Sequence, residues 1–187
     1  LIHAHNKLAH ALDTVSDGNA PPHEIRHRHD AAELSLRTAL RLQEELTLQF
    51  PESPEHKKWL TKFKIGLARI LIRKGSDTEA IGLLESAIQS LEADLKSDSQ
   101  SAGLYAELLN ATEELAKVYQ KTQDDVGSWL MWEKFDQYEA AFRELYPDGM
   151  RRRFDERRRP LHDGHRPRDD RDDRPELPRG RRPPPRR

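Results

Sequence analysis

The chain has 187 residues, 35% of them charged and 35% hydrophobic, with a net charge of −1. It contains no cysteine, which excludes a disulfide scaffold, a thiolate metal site and a cysteine nucleophile. Its longest mostly apolar stretch, Ile65 to Ile72, carries Arg69 and is too short for a membrane span.

In chain order, the apolar spacing predicts six helices. Leu1 to Val15 comes first, followed by a long loop, Ser16 to Arg26, that holds Gly18, Pro21 and Pro22. A second helix runs from about His27 to Phe50. Then come Pro54 to Lys74, Asp77 to Lys96, Ala102 to Thr122 and Asp125 to Tyr146, each near 20 residues and so about 30 Å long. The fourth shows the pattern best, with Ala80, Leu83, Leu84, Ala87, Ile88, Leu91 and Leu95 on one stripe. Ser76 or Asp77 is its expected N-cap, with Glu79 placed to complete a capping box. Period-2 alternation is nowhere sustained, so no strand is expected.

Composition changes after Met150. Residues 1–150 hold 17 basic and 25 acidic side chains, a net of −8, whereas residues 151–187 hold 15 arginines and 8 acids, a net of +7. That last segment has only three hydrophobic residues, Phe154, Leu161 and Leu177, and seven prolines. Burial on that scale does not offset a backbone ordering cost of about 1–2 kcal/mol per residue. A disordered Arg/Pro/Asp-rich tail is expected.

The helical part repeats with a period of 48. Ala32, Ala80 and Ser128 correspond, as do Leu36, Leu84 and Trp132, and Ala39, Ala87 and Phe135. Leu67-Ala68 corresponds to Leu115-Ala116, and Leu71 to Tyr119. Leu8-Ala9 joins them once the extra residues of the first loop are discounted. Repeats of this size point to stacked helix pairs, here about 1–53, 54–101 and 102–149.

These residues resemble the tetratricopeptide repeat. The middle unit has the motif's large-small pair and large residue (Leu67-Ala68, Leu71), turn glycine (Gly75), and Ala-large-Ala series (Ala80, Leu84, Ala87). The third unit departs from it, with Gln123 for the glycine and Phe135 at a small position. The unit is longer than usual and is similar to arrays attached to bacterial signalling proteins, which often carry a phrase like Glu44 to Glu55. The resemblance implies an all-α solenoid of three antiparallel pairs, with a plain helical bundle as the alternative. It also implies a protein-interaction role, as adaptor or scaffold, through a groove lined by the first helix of each pair. Carried across, the groove positions are Lys62, Ile65, Arg69, Ile72 and Arg73, then Asn110, Glu113, Lys117, Gln120 and Lys121. In the first unit they are His3, Asn6, His10, Asp13 and Thr14. Five cations against one acid in the later two units suit an acidic peptide or a C-terminal carboxylate. The alternative is that these are solvated helix faces.

Three other features carry weaker expectations. Six of the nine histidines lie in the first 30 residues, and His23 and His27, four apart, are candidate zinc ligands or part of a pH-responsive loop. Trp129 and Trp132 leave the last helix apolar nearly all round. A following helix, Met150 to Arg159, is the expected cover, and a homodimer contact is the alternative. The tail's arginine clusters suit non-specific nucleic-acid contact, although no aromatic accompanies them after Phe154. No enzyme signature, cofactor loop or metal motif is legible, and a non-enzymatic module without a cofactor is expected. The chain opens on Leu1 and reads as a fragment or processed product of a larger protein. A cytoplasmic location is expected, or an extracytoplasmic one if the parent is membrane-attached.

Overall fold

A computed structural model describes residues 21–147. The helix expected at Leu1–Val15, the first-unit groove positions, the segment Met150–Arg159 and the arginine-rich tail lie outside the described residues. The chain divides into a unit Leu1–Leu145 and a unit Tyr146–Arg187, and every described helix belongs to the first. These helices are α1 (Pro22–Gln49), α2 (Pro54–Lys74), α3 (Asp77–Ser97), α4 (Ala102–Lys121) and α5 (Asp125–Leu145). There is no strand among the described residues.

α1 starts five residues earlier than the sequence suggests, so residues 22–26 are helical rather than loop. Pro22 occupies the first helical position, where its fixed φ suits a helix and its missing N–H is not needed. The Pro21 carbonyl accepts from Glu24 and Ile25 N–H at 2.9 and 3.1 Å. Pro51 then follows the end of the helix and disfavours its continuation.

The turns between helices repeat their geometry even where the residue changes. α2 ends at Gly75 in the left-handed region, φ 81°. The Ser76 N–H reaches the Leu71 carbonyl and the Gly75 N–H that of Ile72, which together form a Schellman cap. One period later Gln123 stands at φ 62°, with Asp124 N–H on the Tyr119 carbonyl and Gln123 N–H on that of Gln120. The cap is thus kept without its glycine. Asp124 Oδ1 in turn accepts from Gly127 N–H at 2.8 Å and caps α5. The expected capping box at Ser76 does not form. Ser76 makes no side-chain cap bond, and Glu79 is taken instead by Arg37 through a two-pronged contact at 2.7 and 2.8 Å.

Consecutive helices are antiparallel, as their contacts show. Lys74, near the end of α2, reaches Asp30 and Glu33 near the start of α1. Lys121 at the end of α4 reaches Asp77 at the start of α3. Tyr105 near the start of α4 packs against Phe142 near the end of α5. Alternate helices touch in parallel and at constant offsets. Arg37–Glu79 links α1 to α3 and Glu92–Lys134 links α3 to α5, both across 42 residues. Arg69–Glu114 links α2 to α4 across 45 residues, and Lys62–Glu107 spans the same offset. α1, α3 and α5 therefore form one layer, with α2 and α4 in the other. This is an all-α helical-repeat architecture.

The core lies between the layers, and its members are the repeat positions. Ala32, Ala39, Ala68, Ala80, Ala87, Ala116 and Ser128 are all fully buried, where helices approach most closely. Leu36, Leu67, Leu71, Leu84, Leu108 and Leu115 fill the spaces between them. The third pair is packed more loosely at its far end. Phe135 is only half-buried where Ala39 and Ala87 are sealed, and Trp132 meets it edge-on with ring centroids 5.6 Å apart.

Candidate functional site

Parallel packing of α2 against α4 leaves an open cleft of about 530 Å³ between them. It is lined by Arg69, Ile72 and Arg73 from α2 and by Glu114, Lys117, Val118 and Lys121 from α4. Five of these seven, Arg69, Ile72, Arg73, Lys117 and Lys121, are positions that the repeat register assigns to a groove. Arg69 and Arg73 are one helical turn apart, as are Lys117 and Lys121, so two cationic rows about 6 Å long face the same space.

Not every assigned position belongs there. Ile65 is only 7% exposed and lies in the core, because α2 is enclosed by α1, α3 and α4 and its apolar residues are drawn inward. Lys62 sits outside the cleft, with its ammonium 5.3 Å from the centre of the Trp59 ring and 3.5 Å from Glu107. Asn110 is half-buried and does not line the space either.

The charge balance also differs from a simple count along the helices. Arg69 Nε donates to Glu114 Oε1 at 2.5 Å, Lys117 Nζ to Glu113 at 3.1 Å, and Lys121 Nζ to Asp77 at 2.8 Å. The excess of cations is therefore partly met by acids of the same scaffold. It is not abolished, because the lining itself has four cations against one carboxylate. The side chains of Arg69, Lys117 and Lys121 keep 41%, 53% and 51% exposure, so all three can be reached from outside. Glu114 is the one acid that lines the cleft itself. Burial raises its carboxyl above the ordinary 4.5, and the neighbouring Arg69 only partly opposes this.

The 48-residue repeat does not reveal Glu114 and Val118. They stand across from Arg69 and Arg73 at the 45-residue offset of neighbouring helices, one turn short of the sequence period. Complementary charges at that spacing, Lys62 with Glu107 and Arg69 with Glu114, are the signal that marks them.

His23 and His27 share an exposed face at the start of α1. Among the described residues, no group of three or more His, Asp or Glu side chains could hold one metal ion. On α5, Val126, Trp129 and Leu130 are 70%, 39% and 43% exposed, whereas Trp132 is half-buried and meets Phe135 edge-on. Of the two expected interface tryptophans, Trp129 is the more exposed. No described helix is long and apolar enough to cross a membrane.

Comparison with protein-family models, curated proteins and solved structures finds no match to this chain.

Proposed function

We propose that the chain is a tetratricopeptide-type interaction module, an adaptor rather than an enzyme, whose α2–α4 cleft captures an acidic protein segment. One observation carries this reading. Side chains from two helices, about 45 residues apart in sequence, converge on one open cleft with four cations and one carboxylate. Ile72 and Val118 supply an apolar floor between the two cationic rows. Such a site holds a ligand's carboxylates by charge-assisted hydrogen bonds and its aliphatic groups by burial. The repeat length supports a place within a larger bacterial signalling or assembly protein.

The test is calorimetric titration with a peptide of alternating glutamate and glycine. Reversing two of the cations, Arg69→Glu with Lys117→Glu, is expected to weaken binding by about tenfold or more, with the loss shrinking as salt rises. Equal affinity for the doubly reversed protein at low salt would remove the electrostatic groove from the account.

A further inference from the structure

The cleft contains its own carboxylate, Glu114, and that carboxylate sits on Arg69, one of the four cations that line it. Arg69 is the outer partner of the pair. Its side chain is 41% exposed and that of Glu114 only 27%, so the arginine opens to solvent while the acid is held behind it. Their contact runs through Nε alone, whereas a guanidinium can grip a carboxylate with two parallel N–H groups. The surrounding charges favour a second anion. Arg73 lies one turn along α2, and Lys117 and Lys121 stand across the cleft. Glu113, the adjacent acid on α4, is engaged by Lys117.

We propose that Glu114 is a built-in counter-ligand, and that an acidic partner binds by taking Arg69 from it. The inference rests on the groove reading given above and specifies how that site is regulated. Glu114 is suited to giving way. Burial already disfavours its charged form, so its hold on Arg69 is opposed by the cost of keeping a carboxylate enclosed. An extended acidic segment suits the exchange. Its alternate side chains are about 6.6 Å apart, close to the roughly 6 Å rise between Arg69 and Arg73 or between Lys117 and Lys121. One carboxylate replaces Glu114 on Arg69 while the next reaches one turn further along the cleft.

The test is fluorescence anisotropy with a labelled peptide of alternating glutamate and glycine, using its glutamine–glycine counterpart as control. Four proteins are compared: the full chain, Glu114→Gln, Arg69→Gln, and the double variant. Glutamine keeps the shape of Glu114, and melting curves confirm that each variant is folded. Glu114→Gln is expected to bind the acidic probe about fivefold more tightly than the unaltered chain, with no gain for the glutamine control. That gain is expected to vanish in the Arg69→Gln background. Unchanged or weaker binding by Glu114→Gln would overturn the exchange while leaving the groove reading intact. A gain of equal size with Arg69 absent would also overturn it, because simple removal of a negative charge would then suffice. If neither the unaltered chain nor Glu114→Gln binds the probe, the groove reading falls and the exchange falls with it.

Discussion

At Ser128 the third repeat carries a hydroxyl where the first two have alanine. The side chain is fully buried, and its Oγ has no hydrogen-bond partner. A buried hydroxyl left unsatisfied is destabilising by about 1–3 kcal/mol, and alanine already fits this site as Ala32 and Ala80. Ser128→Ala is therefore expected to stabilise the chain by about 1 kcal/mol, read as a higher urea midpoint with an unchanged slope. Gln123 presents a second local conflict. It holds a left-handed conformation that its counterpart Gly75 adopts freely. Gln123→Gly is expected to raise stability by about 1 kcal/mol, whereas Gly75→Ala lowers it by a similar amount. Neither conflict is visible from periodicity alone. The sequence aligns Gln123 with glycine, but only the observed φ and the kept Schellman bonds show that the backbone shape was retained.

Among the elements, a network of charged contacts ties α1 to α2 and α3. Lys74 joins Asp30 and Glu33, and Arg37 joins Glu33 and Glu79. The hydrogen bond from Lys74 lowers the Asp30 carboxyl, and that from Arg37 lowers Glu79. At Glu33 burial acts the other way, but the bonds from Lys74 and Arg37 together outweigh it. All three carboxyls are thus held below their ordinary values of 3.8 for Asp30 and 4.5 for the two glutamates. Their contribution is complete above those values and is lost as pH falls through the lower folded ones. Glu114 has the opposite sign, because its raised carboxyl favours folding when protonated. The melting temperature is expected to fall as pH drops below about 4.5. That fall should be shallower in Arg37→Met, whose acids have less to lose. An equal acid dependence in both proteins would contradict this assignment. The helices themselves were legible because the stripes through Leu67, Leu71, Leu84 and Leu115 are long and regular. Which acid meets which base was not, because partners such as Glu79 and Arg37 lie 42 residues apart and follow helix packing rather than the repeat.

Across the molecule, two layers of helices convert a repeated stripe into a surface. Small residues at Ala68 and Ala116 let the pairs stack closely, and the parallel approach of α2 and α4 then opens the cleft. The near-zero net charge conceals this arrangement, since an acidic helical body and a basic segment after Met150 nearly cancel. The register assigns Arg69, Arg73, Lys117 and Lys121 to a groove, and all four line the α2–α4 cleft. It misplaced Ile65, because a repeat position says which residues are equivalent but not how much of a helix its neighbours enclose. The central claim is that an acidic segment binds between α2 and α4. Its most direct test is two-dimensional NMR of the isotopically labelled chain during titration with the glutamate–glycine peptide. The account predicts amide shifts concentrated at residues 69–73 and 114–121, with residues 30–45 of α1 and the α5 surface around Trp129 unmoved. Shifts centred on α1 or α5, or spread evenly over all five helices, would contradict it.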